Sequence, residues 1–279
     1  MPTNPKLQAY INGKIQPYEN ATLHISDLAI QRGYGVFDFF KVQDGKPVFL
    51  KDYLKRFYES AKLMELTIPH TKAELTDIIY QLLTINNLPL SGVKMILTGG
   101  YATNGYDPAE PNLIIQQQPL QLPSQDMITQ GIKVITHDHV RELPSVKTIN
   151  YAMGIRLINK IKEAAASDVL YQKNGMVSEF PRCNFFIVTQ ENTVVTPSEN
   201  VLLGVTRKNV LALAARNYKT EERAITIAEI AQAKEAFLTS TTKRLLPVVQ
   251  VDGVIIGNGR PGKITLELLQ DLIGLEQQL

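Results

Sequence analysis

The hydrophobic period of the chain changes at Leu50, and this change restricts the possible folds more than any other feature. Up to that point the signals are those of strands. Residues 7–11 and 14–17 flank Asn12-Gly13, and residues 35–43, GVFDFFKVQ, run through Asp44-Gly45 into residues 47–50. Asn-Gly and Asp-Gly tolerate the positive φ angles of two-residue turns, so two hairpins are predicted. From Leu50 the apolar residues recur three and four apart. Leu50, Tyr53, Leu54, Phe57, Ala61 and Met64 form one face of a helix starting near Asp52, and Leu75, Ile78, Ile79, Leu82 and Leu83 form a second that ends near Asn86-Asn87. Hairpins followed by paired helices break any regular βαβ alternation, and the expected fold class is α+β.

Residues 93–98 and 112–116 are further strand candidates, and they enclose a loop, GGYATNGYDP, rich in glycine and tyrosine. Long loops in compact domains are often functional. Residues 117–126, QQPLQLPSQD, carry two prolines and no helical period. They place an interdomain linker, set at 119–128, between an N-terminal domain 1–118 and a C-terminal domain 129–279. Beyond it the pattern predicts strands over 132–136 and 168–171, with a helix over 151–166 between them. Gly175 then turns the chain into strands over 176–180 and 184–189. A helix follows Gly204-Val205-Thr206, Ser240-Thr241-Thr242 is a polar turn before a strand over 246–251, and a last helix spans 261–273.

At 279 residues the chain is long enough for two cores. Its charged fraction of 20% and apolar fraction of 44% are those of a globular protein, not of a disordered one. A net charge of +2 gives no reason to expect nucleic acid or an anionic membrane as partner. No apolar run approaches the roughly 18 residues that span a bilayer, and the opening MPTNPKLQAYINGK lacks the apolar core of a signal peptide. Cys183 is the single cysteine, so no internal disulfide or multi-cysteine metal site is expected. His24, His70, His137 and His139 do not make a metal signature, and His137-Asp138-His139 reads as the end of a strand. A cytoplasmic enzyme or binding protein is expected.

Two charged residues stand out in residues 143–186. Lys147 lies in a polar turn after Pro144, and Glu179 follows the Gly175 turn. A lysine that forms a Schiff base must lose its proton near neutral pH, which burial or neighbouring cations promote. Pyridoxal 5′-phosphate needs in addition an acid at its ring nitrogen and a site for its phosphate. Glu179 supplies the acid. Gly204-Val205-Thr206 opens a helix, where backbone N–H groups favour an anion, and Ser240-Thr241-Thr242 is a second cluster of donors. Arg56, on the polar side of the first long helix, supplies positive charge. Taken singly, each has a plainer reading. A lysine beside a proline turn is usually solvated, Arg56 suits an i, i+4 pair with Asp52, and Thr206 suits a helix cap.

Taken together and in order, these segments resemble the class IV (fold type IV) aminotransferases that use pyridoxal phosphate, a family that includes D-amino-acid aminotransferases, branched-chain aminotransferases and aminodeoxychorismate lyases. The resemblance runs from Asp27-Leu28 and Arg32-Gly33-Tyr34-Gly35-Val36-Phe37 through Tyr53-Leu54-Lys55-Arg56-Phe57 and Lys147-Thr148-Ile149-Asn150. It continues through Glu179 with Asn184-Phe185-Phe186 five residues on, then Leu203-Gly204-Val205-Thr206-Arg207 and the Ser240-Thr241-Thr242 turn. It implies two α+β domains with the cofactor at their interface. Lys147 would be the Schiff-base lysine and proton carrier, and Glu179 the partner of the ring nitrogen. Arg56, Val205, Thr206, Ser240, Thr241 and Thr242 would hold the phosphate, and Tyr151 would lie beside the cofactor. The substrates implied are amino acids and 2-oxo acids, and the assembly a homodimer.

Departures from the family pattern bear on substrate. D-amino-acid aminotransferases of the familiar bacterial type hold the substrate carboxylate with an Arg-x-His pair, where this chain has Thr103-Asn104-Gly105-Tyr106. Phe37 stands where those enzymes have tyrosine and many branched-chain ones have phenylalanine. The spacing from Lys147 to Asn150 nevertheless resembles the D-amino-acid and lyase branch. Phe180-Pro181-Arg182 replaces the small residues that usually follow the glutamate. Arg182, Lys94 and Arg32 are therefore read as a rebuilt carboxylate clamp, since a partly buried cation calls for an anion. The favoured reading is a D-amino-acid transaminase with an unusual clamp, using 2-oxoglutarate or pyruvate. Branched-chain L-amino-acid transamination and aminodeoxychorismate cleavage are the alternatives.

Overall fold

The computed structural model describes residues 7–278. Residues 1–6 and 279, which the expected domains include, lie outside the described residues. The chain divides into two compact units. One runs to Gln121 and takes in Val146–Asn150; the other comprises Leu122–Ser145 and the chain from Tyr151.

In the first unit, β1 (Gln8–Ile11) and β2 (Lys14–Pro17) pair about Asn12 and Gly13, whose φ angles are 45° and 90°. A five-residue helix, α1 (Leu28–Arg32), follows; it is too short for any period to announce. Asp27 caps it, accepting from Ala29 N at 2.7 Å, and Gly33 ends it at φ 67°. β3 (Gly35–Gln43) turns into the short β4 (Lys46–Pro47). α2 (Leu50–Leu63) and α3 (Lys72–Asn86) occupy the segments their periodicity predicts, and α3 opens on a Thr71/Glu74 capping box. β5 (Leu90–Thr98) and β6 (Leu113–Pro119) complete an antiparallel sheet of order β2-β1-β6-β5-β3-β4. Because side chains alternate along a strand, the sheet has two distinct faces. Val36, Asp38, Phe40, Val93, Met95 and Leu97 are buried, whereas Phe37, Phe39, Lys94 and Ile96 are half-buried on the other side. Gly92 makes room there: a Cβ at that position would fall 1.9 Å from the Phe39 ring.

The second unit starts with α4 (Gln125–Gln130), capped by Ser124, and β7 (Ile132–Asp138). The expected linker at 119–128 is thus strand at Pro119 and helix from Gln125. Residues 146–150, expected in the C-terminal domain, associate with the first unit instead. The predicted helix over 151–166 is two short ones, α5 (Ala152–Arg156) and α6 (Ile158–Glu163), interrupted at Leu157. Next come β8 (Asp168–Lys173), β9 (Met176–Val177), β10 (Asn184–Val188) and β11 (Val194–Thr196). α7 (Val205–Ala214), β12 (Thr220–Glu222), α8 (Ile227–Gln232), β13 (Glu235–Ser240), β14 (Arg244–Val251), β15 (Val254–Ile255) and α9 (Lys263–Gln277) complete the unit. The sheet order is β12-β11-β10-β13-β14-β7-β8-β9, with β15 on β14. It is mixed: β7 runs parallel to both β14 and β8, and β11 parallel to β12. Its central strands are almost wholly apolar, as strands covered on both faces must be, and Phe185, Ile187, Leu238 and Leu246 sit at its core. Among the described residues no helix is long and apolar enough to cross a membrane.

Candidate active site

Lys147 is fixed to the first unit by its backbone. Phe37 N donates to Lys147 O at 2.9 Å, Ile149 N to Gly35 O at 3.1 Å, and Lys147 N to Ser60 Oγ at 3.2 Å. The segment therefore lies along β3 as a short antiparallel addition, with Thr148 bridged to Val36. Gly35 permits this approach, since a Cβ there would meet Leu97 O at 2.7 Å and the Ile149 side chain at 3.2 Å. The lysine side chain crosses the half-buried face: its Nζ stands 4.7 Å from the centre of the Phe37 ring, and Lys94 Nζ stands 5.2 Å from the same ring. One aromatic ring thus serves two cations. On the opposite face Arg56 forms a two-pronged ion pair with Asp38, which is wholly buried, through Nε at 2.9 Å and Nη2 at 2.6 Å. Asp38 was not foreseen, although an acid inside the apolar run GVFDFFKV is a visible signal.

Glu179 is buried in the second unit, with its backbone O accepting from Tyr171 N of β8 at 2.9 Å. Its Oε1 accepts from Arg141 Nε at 2.7 Å, and its Oε2 from Leu202 N at 2.9 Å and, more weakly, from Asn184 Nδ2 at 3.4 Å. Asn184 is the joint of this region. It also donates to Leu202 O at 2.7 Å, it pairs in register with Thr239, and a Cβ on Gly204 would lie 2.1 Å from its Oδ1. Glu179, the start of α7 and the approach to the Ser240-Thr241-Thr242 turn are so gathered around one amide. Val205 and Thr206 occupy the first turn of α7, whose N-terminus receives no side-chain cap. Tyr151 precedes α5 and is half-buried.

The cations read as a carboxylate clamp are placed differently from one another. Lys94 is half-buried, and burial pushes its pKa down. Arg32 is exposed at the end of α1 and donates to the carbonyl of its neighbour Gln31 at 2.8 Å. Arg182 is exposed beside a buried cluster in which Lys243 Nζ meets Asp168 Oδ2 at 2.8 Å.

Residues 35–251 match the family described as amino-transferase class IV. The chain belongs to the class IV aminotransferases. The aminotransferase is 29% identical over 265 residues to the D-alanine aminotransferase of Bacillus licheniformis, covering 93% of each chain. It is 31% identical over 276 residues to a putative branched-chain-amino-acid aminotransferase of Methanocaldococcus jannaschii, covering 94% of each. Its fold resembles that of the branched-chain amino acid aminotransferase of Escherichia coli, with TM-score 0.91 and 23% identity over 97% of this chain and 95% of that one.

Class IV aminotransferases use pyridoxal 5′-phosphate, and the residues of this one fit it. The aminotransferase offers a buried carboxylate that accepts on both oxygens, a ten-residue helix with an uncapped N-terminus, and a buried hydroxyl, Thr239 Oγ1, with no hydrogen-bond partner among the described residues. Arg141 was missed in the sequence. It lies 38 residues from the glutamate it bonds, and no local pattern marks such a pair.

Proposed function

We propose that the aminotransferase moves an amino group between a D-amino acid and a 2-oxo acid, 2-oxoglutarate or pyruvate, with Lys147 as base and Lys94 as the cation that receives the substrate carboxylate. The observation that carries this reading is the pair of ammonium groups on the Phe37 ring. A half-buried ammonium with no acidic partner among the described residues is a standing demand for an anion. It faces the ring that also bears the proton-transferring lysine, so a carboxylate bound there brings its Cα toward Lys147.

When bound, pyridoxal 5′-phosphate supplies an electron sink for the charge left at the substrate Cα. Lys147 Nζ takes the Cα proton and later returns it. Glu179, which is buried, would hold the ring nitrogen, and Tyr151 would lie beside the ring. The first N–H groups of α7 at Val205 and Thr206 would hold the phosphate together with Ser240, Thr241 and Thr242. The spacing from Lys147 to Asn150 and the likeness to a D-alanine aminotransferase favour D-substrates. Phe37 and the likeness to a putative branched-chain enzyme support L-branched-chain substrates as the second reading.

The working assembly is taken as a cytoplasmic homodimer. Exposed apolar side chains on the first unit, Ile25, Ile30, Tyr101 and Tyr106, are surface that a second copy would cover. A half-reaction panel of D- and L-amino acids tests the function by the loss of the cofactor's visible band and its recovery with a 2-oxo acid. Bleaching by D-alanine or D-glutamate is expected. Bleaching by L-leucine alone would move the assignment to branched-chain substrates, and pyruvate release from aminodeoxychorismate without recovery would make the chain a lyase.

A further inference from the structure

We infer that Arg141 is a positioning residue that keeps Glu179 charged and turned to accept from the cofactor's ring nitrogen; this rests on the reading of Glu179 given above. The guanidinium is fixed from two sides. Its Nε donates to Glu179 Oε1 at 2.7 Å, while Nη2 donates to Pro144 O at 2.5 Å and Nη1 more weakly to Leu143 O at 3.5 Å. Both carbonyls belong to the turn that leads into Lys147, so the fork ties the carboxylate to the backbone just ahead of the catalytic lysine. Side-chain exposure is 12% for Arg141 and 5% for Glu179, low enough that water contributes little to holding either charge.

The chemistry of the pair follows from the direction of the hydrogen bond. A pyridinium N–H can only donate, so its partner must accept, and a charged carboxylate does so most strongly. Burial opposes that charged form, and without a cation a carboxyl in this place takes up a proton and becomes a donor itself. It would then face an unprotonated ring nitrogen, and the ring would lose the positive charge that draws electrons from the substrate. Leu202 N and Asn184 Nδ2 support Oε2 but bring no net charge. Tyr171 also feels Glu179, yet burial pushes its phenol up to about 12, where it stays neutral and cannot replace the arginine. His139 senses Arg141, and burial pushes its pKa down, so it too is neutral near neutral pH. Asp168 and Lys243 nearby are paired with each other. Arg141 thus bonds Glu179 directly, and its remaining N–H groups, held by Leu143 O and Pro144 O, fix where that bond points.

The test is nitrogen-15 NMR of the holoenzyme loaded with ring-labelled pyridoxal 5′-phosphate, in the unaltered chain and in Arg141→Gln, Arg141→Lys and Glu179→Gln. A protonated ring is expected in the unaltered chain and in Arg141→Lys, and an unprotonated ring at neutral pH in Arg141→Gln and Glu179→Gln. Arg141→Gln should also weaken pyridoxal 5′-phosphate binding by about tenfold. It should leave nearly unchanged the affinity for the analogue with carbon in place of the ring nitrogen, which a mere loss of folding would not spare. A ring that stays protonated in Arg141→Gln but not in Glu179→Gln overturns the role of Arg141 alone. A ring unaffected by Glu179→Gln overturns the reading of Glu179, and this inference with it.

Discussion

Burial pushes the Lys94 pKa down from its usual 10.5, because a half-buried ammonium loses water that the Phe37 ring only partly replaces. A lysine whose pKa is depressed sheds its proton earlier as pH rises, so carboxylate affinity falls and KM climbs on the alkaline side before an ordinary lysine would titrate. Lys94→Arg stays charged throughout, and it should push that alkaline rise in KM to higher pH. Lys94→Ala removes one charged hydrogen bond, worth about 1.5–3 kcal/mol, and should raise KM by roughly ten- to a hundredfold with kcat changed much less. Steady-state kinetics from pH 7 to 10 check both, and an unchanged KM in Lys94→Ala would sink the clamp. The same residue shows how far the sequence could be read. The turns that carry Lys147 and Glu179 were legible, because Pro144 and Gly175 mark them in the sequence. The Arg141–Glu179 and Arg56–Asp38 pairs were not, since partners 38 and 18 residues apart leave no periodic trace.

Elements behave in the same way, local ones legible and tertiary ones not. α2 and α3 stood out because each repeats an apolar face over several turns, and both formed close to where the period put them. α1 did not stand out, because its five residues are held by the capping side chain of Asp27, which itself accepts from Thr98 Oγ1 and Asn112 Nδ2, each at 2.7 Å. The start of α9 is another tertiary device. Its N-terminus carries no side-chain cap of its own, and Glu235 of β13 takes that place, accepting from Ile264 N at 3.1 Å and from Thr265 N and Oγ1 at 2.8 and 2.7 Å. Gly262 is glycine for want of space, since its φ of −82° suits any residue but a Cβ would lie 1.9 Å from Glu235 Cδ. Replacing the carboxylate by an amide turns a donor against these N–H groups. Glu235→Gln should therefore cost about 1.5–3 kcal/mol and lower the melting temperature by roughly 4–10 °C. Gly262→Ala should destabilise through the same contact, and Lys263→Ala, whose side chain is 86% exposed, should not. Thermal unfolding followed by circular dichroism decides; equal melting temperatures for Glu235→Gln and Lys263→Ala would remove the cap from the account.

At the scale of the whole molecule the chain passes from one unit to the other three times, because Val146–Asn150 returns to the first unit from within the sequence of the second. Lys147 is delivered by that five-residue return, and its backbone bonds to Phe37 and Ser60 make it part of the first unit. Glu179, the start of α7 and the Ser240-Thr241-Thr242 turn belong to the second. Sequence reading marked the prolines near residue 120 but not this return, because nothing in VKTIN distinguishes a segment that pairs with β3 from an ordinary turn. A cofactor held by the residues proposed should stabilise the folded chain. Free cofactor at a hundred times its dissociation constant adds about 2.7 kcal/mol to a folded state that alone binds it. Calorimetry of the apo chain against increasing pyridoxal 5′-phosphate should show the unfolding temperature rising, and the rise should be smaller in Lys147→Ala and in Glu179→Gln. If the rise in Lys147→Ala equalled that of the unaltered chain, Lys147 would not anchor the cofactor, and the catalytic assignment of that lysine would fall with it.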